Sequence, residues 1–248
     1  MILNTIWENI IFNPILNTMV YLYHILGDNM FLAILALTLI LKLATYPITK
    51  GALNVAKRQK ELKPELDKLK EQYPDKQEFA KKQMEFYKEK GINPFGGCLP
   101  QLIPLVLFFT LYSVFRHLLS ESLFDVEMLN SALYSFNYTL TNYTDLNNSF
   151  FIFNLGQRDS TYILPVLAGV LQYMQSKQMM NASKGMAAPI QKTEEKTDDF
   201  AYNMQQQMTY MLPIMTFIIS IGVVSGLTIY IIISILFSMV QYYLINKE

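Results

Sequence analysis

A single lysine follows a long apolar run near the N-terminus of this chain. Residues 30–41 contain only one polar side chain, Thr38, and Lys42 comes directly after them. A charge at the centre of a membrane-spanning helix costs about 2.5–3.5 kcal/mol on insertion scales, and such charges are usually functional. The chemistry that an ammonium offers there is the attraction of an anion such as a carboxylate, which is stronger in a partly desolvated site than in water.

Thr38, Lys42 and Thr45 follow one another at i, i+4 and i+7, so a helix places them on one face. Two interpretations of Lys42 stay open. Its side chain snorkels to the lipid headgroups, about 12 Å along the helix, or it lies in a wet internal cavity open to the cytoplasm. Other polar residues of the apolar segments could share that cavity, although hydrogen bonds between helices also explain them: Gln101, Gln172, Gln175, Ser234, Ser238 and Gln241.

The sequence offers no basis for covalent chemistry. It contains no His-Glu-x-x-His helix, no Gly-x-Ser-x-Gly elbow and no phosphate-binding glycine loop. One cysteine, Cys98, excludes a disulfide within the chain, and with only His24 and His117 beside it a zinc cluster is excluded too. We therefore expect a protein that is not an enzyme and needs no cofactor.

The composition is that of an integral membrane protein. Of the 248 residues, 52% are hydrophobic and 16% are charged, against roughly 25% charged in soluble domains. Apolar runs of span length predict an all-α fold with five transmembrane helices, at residues 28–49, 99–119, 161–180, 208–223 and 224–246. Gly222 to Gly226 supplies the turn between the last two, which explains these glycines more simply than a helix-packing motif.

The segments between these spans differ sharply in charge. Residues 50–98 carry 12 basic and 8 acidic residues, a net charge of about +4. An apolar stripe through Leu62, Leu66 and Leu69 and a break at Pro74 predict a charged helical hairpin. Its role stays open between a solvated loop and a docking site. Residues 120–160 and 181–207 are expected to be loops.

Residues 1–27 are apolar with interspersed polar residues and Pro14. They predict an interfacial helix with Trp7, Tyr21 and Tyr23 at headgroup level, and a sixth span is the alternative.

The distribution of basic residues predicts the orientation. Residues 1–41 contain no Lys or Arg, whereas loops 50–98 and 181–207 and the tail at Lys247 carry most of them. Because Lys and Arg favour cytoplasmic loops, these segments and the C-terminus are expected in the cytoplasm. Five spans then put the N-terminus outside, and a sixth would move only the N-terminus inside.

Several segments, taken in order, resemble the YidC/Oxa/Alb membrane protein insertase family. They are LTLILKLATYP, the hairpin ending in NPFGGCLPQLI, YILPVLAGVLQYMQSKQM, and the last two spans with Tyr230. The resemblance covers almost the whole chain and is closest to the short bacterial form without a large periplasmic domain. It implies five spans around a water-filled groove that is open to the cytoplasm and to lipid. Lys42 stands where the family usually carries arginine, and Ile231 stands where a second aromatic residue often follows Tyr230.

The resemblance implies an insertase that receives nascent hydrophobic segments from the cytoplasm and releases them into the lipid bilayer of the bacterial inner membrane. It also implies the ribosome, the signal recognition particle and the Sec translocon as partners. A solute transporter or channel is an alternative that should show repeated halves or broken helices. A scaffold, the other alternative, would need the hairpin but not Lys42. The groove residues expected on this basis are Lys42, Thr38, Thr45, Gln101, Gln172, Gln175, Tyr230, Ser234 and Ser238.

Overall fold

The computed structural model of the chain describes residues 7–91, 99–119, 123–135, 138–142, 146–183 and 199–247. Helices dominate these ranges, and a π-helical segment, Trp7–Phe12, precedes the first α-helix. The remaining elements are α1 (Asn13–Ile25), α2 (Met30–Ala44), α3 (Tyr46–Glu61), α4 (Lys63–Gln72), α5 (Lys76–Glu89), α6 (Leu99–Leu119), α7 (Val126–Ala132), β1 (Ser149–Phe150), β2 (Phe153–Asn154), α8 (Ile163–Ser183), α9 (Asp199–Gly222) and α10 (Ser225–Lys247).

The last helix, α10, is the centre of the packing. It contacts α2, α6 and α8, while α1 packs on α2, and α9 packs on α8. Gly226 allows the closest approach, because a Cβ there would lie 2.9 Å from Leu119 Cδ1 and 3.1 Å from the Leu155 carbonyl oxygen. Gly226 is therefore more than a turn residue, because it already belongs to α10 and its lack of a side chain is needed for packing.

The described helices differ in their capacity to cross a bilayer. Only α10, over Ser225–Ile245, is both long and apolar enough among the described residues, and its mean hydropathy is 1.9. Shorter apolar helical segments are Met30–Ala44, Leu105–Leu119 and Thr209–Gly222. The structure is consistent with an all-α membrane protein, and the number of five spans stays a prediction.

The first predicted span does not run uninterrupted over residues 28–49. Its helix, α2, begins at Met30, where the Asn29 side chain accepts a hydrogen bond from the Leu32 amide at 3.1 Å, and ends at Ala44. After Thr45 a separate helix, α3, begins at Tyr46. The break lies just before Pro47, which has no N–H to continue the helical hydrogen bonds.

The fourth predicted span, 208–223, forms part of a longer helix. The helix α9 begins at Asp199, well before the apolar segment Thr209–Gly222. Polar residues such as Gln205 to Gln207 extend the helix because they have good helix propensity, although they lack the hydropathy by which the span was recognised.

The predicted loop 120–160 is also more structured than expected. It contains α7 and the antiparallel pair β1–β2, in which Phe150 is opposite Phe153. Two side chains of α1 bind this region and are nearly inaccessible: Asn17 is 2% exposed and Tyr23 is also 2% exposed. The Tyr23 hydroxyl accepts a hydrogen bond from the Asn147 amide at 2.8 Å, so this side chain is bound within the protein, and its place at headgroup level stays a prediction.

The charged segment folds into two helices, α4 and α5, that pack on each other. Asp75 caps α5 by accepting hydrogen bonds from the amides of Gln77 and Glu78 at 3.0 and 2.9 Å. Lys90, just after α5, forms an ion pair of 2.6 Å with Glu65 near the start of α4, so the two helices run in opposite directions. We call the end of the molecule formed by α3 to α5 the hairpin end, and the opposite end, with α7 and β1–β2, the loop end.

Candidate functional site

Lys42 lies in the last turn of α2 and binds α10. Its Nζ donates a hydrogen bond of 2.7 Å to the Ser238 hydroxyl, and that hydroxyl donates in turn to the Ser234 carbonyl oxygen at 2.8 Å. Gln241 adds a weaker link, with its Nε2 3.4 Å from the Lys42 carbonyl oxygen. One neighbouring helix, α10, therefore contacts Lys42 at both its backbone and its ammonium.

The ammonium of Lys42 has a neutral partner. Neither α2 nor α10 contains an Asp or Glu, and no ion pair joins Lys42 to a carboxylate in the described part of the chain. An ammonium has three N–H groups, so the hydrogen bond to Ser238 leaves donors for a further acceptor. Because the side chain is half-buried, an anion brought to it would be attracted more strongly than in bulk water.

The two threonines on the same face of the first span bind their own helix. Thr38 is fully buried, and its hydroxyl donates to the Ile34 carbonyl oxygen at 2.6 Å. Thr45 donates to the Leu41 carbonyl oxygen at 2.8 Å. The prediction that these threonines share a face with Lys42 agrees with the helix, but Thr38 is not accessible to a ligand because α1 and α10 pack against α2.

Polar residues of α10 follow one face of that helix. Tyr230, Ser234 and Ser238 are spaced at i, i+4 and i+8. Tyr230 is 8% exposed, and the Ser234 hydroxyl is buried. Of these three predicted site residues, the structure brings Ser238 into direct contact with Lys42.

The glutamines of α8 are not joined to Lys42. Gln172 lies 3.5 Å from the Ser176 hydroxyl on its own helix, and Gln175 is half-buried. Gln178 instead connects α8 to α10 by donating to the Met239 carbonyl oxygen at 3.2 Å. Sequence reasoning missed Gln178, although it continues the three-residue spacing of Gln172 and Gln175. The side chain of Gln101, also predicted, lies outside the described part of the structure.

The loop end is closed by backbone hydrogen bonds between distant segments. The amide of Ser225, the first residue of α10, donates to the Gln157 carbonyl oxygen at 2.7 Å, and the next amide, of Gly226, donates to that of Leu155 at 2.9 Å. Helix N-termini have free amides that need acceptors, and the segment after β2 supplies them. These hydrogen bonds attach the N-terminal end of α10 to the segment after β2.

The arrangement offers charge and hydrogen bonding, not bond-making chemistry. Within the described ranges, no group of three or more His, Cys, Asp or Glu residues could hold a metal ion. A lysine held by a neutral hydroxyl, beside helices with exposed apolar side chains, can bind an acidic group reversibly next to a hydrophobic surface.

Comparison with known proteins places these features in context. A protein-family model described as "60Kd inner membrane protein" matches residues 21–248. A "Membrane protein insertase YidC" of Fusobacterium nucleatum is 31% identical over 221 residues, covering 89% of this chain and 87% of the relative. A "Membrane protein insertase MisCA" of Bacillus subtilis is 27% identical over 97% of this chain and 79% of the relative. A longer "Membrane protein insertase YidC" of Geobacter sulfurreducens is 25% identical over 99% of this chain, which spans 39% of that relative.

Proposed function

This chain belongs to the 60Kd inner membrane protein family of bacterial membrane proteins, and from that premise we propose that it is a membrane protein insertase with Lys42 as its receptor for acidic segments. The observation that carries the proposal is the pairing of Lys42 with Ser238, a neutral hydroxyl 2.7 Å away. A permanent carboxylate partner would neutralise the lysine, whereas a hydroxyl leaves its charge available to a passing substrate.

The groove that would receive the substrate is formed by five spans, which correspond to α2, α6, α8, the apolar part of α9, and α10. Its proposed residues are Lys42 with Thr45, Ser234, Ser238, Tyr230, the α8 glutamines and Gln101, while the buried Thr38 would support its wall. The hairpin end faces the cytoplasm, because residues 50–98 carry 12 of the 20 basic residues. This leaves the loop end, and an N-terminus outside, on the opposite side.

Insertion would proceed by exchange of hydrogen-bond partners. An acidic tail approaching from the cytoplasm accepts hydrogen bonds from the Lys42 ammonium. The Ser238 hydroxyl then keeps the hydrogen bond that it already donates to the Ser234 carbonyl oxygen. The hydrophobic part of the substrate then enters lipid, with a gain of about 25 cal/mol per Å² of apolar surface removed from water. Transfer of the tail across the membrane potential contributes up to about 2.3 kcal/mol per charge per 100 mV.

A short span beside the groove would lower the barrier to this transfer. The apolar segment of α9, Thr209–Gly222, is roughly 21 Å long at 1.5 Å per residue, against a hydrocarbon thickness of about 30 Å. Such a mismatch favours local thinning of the bilayer. The acidic tail would then cross a thinner apolar layer.

The hairpin α4–α5 is the proposed docking element for the ribosome, the signal recognition particle or the Sec translocon. Residues 50–98 as a whole carry about four more basic than acidic residues, most of the excess on the adjoining helix α3, and this net positive charge supports an encounter with negatively charged partners. Nascent membrane proteins and the surrounding lipids are the direct partners of the groove.

The test is reconstitution in liposomes with a small single-span substrate that carries an acidic N-terminal tail. Lys42→Ala should reduce the insertion rate by roughly 10- to 150-fold, since hydrogen bonds to a charged group contribute about 1.5–3 kcal/mol and each 1.4 kcal/mol is about a factor of ten. Lys42→Arg should retain most activity. Lys177→Ala is the matched control, because Lys177 is an exposed lysine on α8.

A second substrate, with Asn and Gln in place of the tail's Asp and Glu, distinguishes loss of the Lys42 charge from misfolding of the Lys42→Ala variant. It should insert equally well with wild type and Lys42→Ala. Equal rates for both proteins on the acidic substrate would refute the role of Lys42, and a wild type inactive on every substrate would refute the insertase itself.

A further inference from the structure

The tip of the β1–β2 hairpin is the most exposed apolar part of the described structure. Phe151 is 90% exposed and Ile152 is 74% exposed, the highest values among large hydrophobic side chains there. Phe151 also has a φ of +51°, a left-handed conformation that is unfavourable for a bulky side chain. A two-residue hairpin turn needs a positive φ at its first residue, and here that position carries an exposed phenylalanine in place of the glycine, asparagine or aspartate that suits it best.

The hairpin is attached firmly to the beginning of α2. Phe150 stacks on Phe31 with ring centroids 3.8 Å apart and an interplanar angle of 13°. The Met30 amide also donates to the Asn147 carbonyl oxygen at 3.4 Å. Because Phe31 is the second residue of α2, the exposed tip lies at the level where this apolar helix begins.

The surface next to the tip is also apolar. Leu32 of α2, which follows Phe31, is 38% exposed, as expected of a helix side that contacts lipid. Ile40, about 12 Å further along the same helix, is 45% exposed. The hairpin residues 149–153, Ser-Phe-Phe-Ile-Phe, carry no charge. Aromatic side chains concentrate where the hydrocarbon of a bilayer meets its headgroups.

We propose that Phe151 and Ile152 insert into the bilayer interface beside the N-terminal end of α2, so that the β1–β2 hairpin is a lipid anchor of the loop end. The tip is uncharged and exposed, and it lies beside the N-terminal end of an apolar helix. This position favours contact of the tip with lipid over contact with water or with another protein. The turn position itself would favour a small or polar residue, whereas the chain carries an exposed aromatic side chain there, which suits the interface. The anchor depends on the membrane location of the family and not on the groove mechanism.

The experiment uses a single tryptophan as a depth probe in the full chain. Trp7, the one natural tryptophan, is replaced by Phe, and Phe151→Trp is added. A matched control carries Trp7→Phe with Met84→Trp, because Met84 is an exposed apolar residue on α5 at the hairpin end. Both proteins are reconstituted alone in phosphatidylcholine vesicles, with or without bromine on the acyl chains near the headgroup, and circular dichroism checks their helix content.

Tryptophan at position 151 should lose most of its fluorescence in brominated vesicles and resist iodide in the buffer, whereas tryptophan at position 84 should show the reverse. Quenching of position 151 by iodide without quenching by bromine would overturn the proposal, whether the tip then lies in water or waits for a protein partner. A failed groove assay would leave this result unaffected, because no substrate takes part.

Discussion

The two ends of the molecule are stabilised in different ways. At the loop end, hydrogen bonds join segments that are far apart in sequence, such as Asn17 to Ala132, Tyr23 to Asn147 and Ser225 to Gln157. At the hairpin end, α4 packs chiefly on its neighbours α3 and α5, and its described ion pairs lie on the surface. The loop end is therefore held together by contacts distant in sequence, and the hairpin end by contacts between neighbouring helices.

The energetic consequence is an asymmetry in tolerance to substitution. A buried donor or acceptor that loses its partner costs about 1–3 kcal/mol, and the loop end contains several such groups. Exposed ion pairs contribute about 0–1 kcal/mol, and both Lys82–Glu85 and Lys90–Glu65 at the hairpin end are of this kind. Substitutions should therefore lower stability mainly at the loop end.

The largest effect is expected at Asn17, whose side chain makes at least three hydrogen bonds. Its Nδ2 donates to the carbonyl oxygens of Asn13 and Ala132 at 2.8 and 2.9 Å, and its Oδ1 accepts from the Tyr134 amide at 2.6 Å. Asn17→Ala removes partners on both sides and should lower the free energy of unfolding by roughly 2–5 kcal/mol. Thermal unfolding in detergent, followed by circular dichroism, measures the loss.

Asn54→Ala is the control for this substitution, because Asn54 is exposed on α3 at the hairpin end. Alanine favours helix over asparagine by a few tenths of a kcal/mol, so this variant should be as stable as wild type or slightly more stable. Equal destabilisation by Asn17→Ala and Asn54→Ala would contradict the asymmetry between the two ends.

Two glycines sharpen the comparison at a smaller scale. A Cβ at Gly226 would meet Leu119 Cδ1 at 2.9 Å and the Leu155 carbonyl oxygen at 3.1 Å, whereas a Cβ at Gly51 on α3 has no atom within 4 Å. Gly226→Ala should cost about 1–3 kcal/mol through overpacking. Gly51→Ala should instead stabilise by about 0.5–1 kcal/mol, because glycine is unfavourable inside a helix. The same thermal unfolding assay should give shifts of opposite sign, and a stabilising Gly226→Ala would show that the α10 contact is loosely packed.

The sequence predicted the hairpin end better than the loop end. Leucines at helical spacing and Pro74-Asp75 indicate two helices, and the structure contains α4 and α5 at these positions. Lys42 is recognisable because a charge interrupts an apolar run, and Ser238 because it is a polar residue within an apolar segment. The break at Thr45 had a signal in Pro47, which the apolar pattern outweighed.

The loop end has no comparable signal. Its contacts join side chains such as Asn17 and Tyr23 to backbone groups, and backbone groups are the same in every sequence. A polar residue on an apolar helix indicates a solvated face equally well, so the polar residues interspersed in 1–27 do not predict that Asn17 is buried. Likewise, the burial of Thr38 depends on how α1 and α10 pack, which the spacing within α2 does not determine.

The smallest expected effect concerns a carboxylate of the loop end, Asp159. Burial alone would raise the pKa of Asp159, but hydrogen bonds from the Thr161 hydroxyl and from the amides of Leu164, Thr161 and Tyr162 outweigh it and hold that pKa below its usual value. The unfolded chain titrates near 3.9. The ionised group therefore stabilises the fold fully above that pH, and this contribution is lost as the pH falls through the lower pKa of the folded state.

Asp159→Asn tests how much this carboxylate contributes to the fall in the free energy of unfolding at acid pH. At neutral pH the variant should lose about 0.3–1 kcal/mol, the usual effect of an anion near a helix N-terminus, here that of α8. Below the folded pKa its stability should converge with that of wild type. Glu85→Gln is the control at the hairpin end: a hydrogen bond from Lys82 lowers the pKa of Glu85 too, but the pair is exposed, so solvent screens it and the acid limb should change less. The measurement is the free energy of unfolding between pH 2 and 7. If Glu85→Gln changes its pH dependence more than Asp159→Asn does, exposed ion pairs and not buried caps control the stability at acid pH.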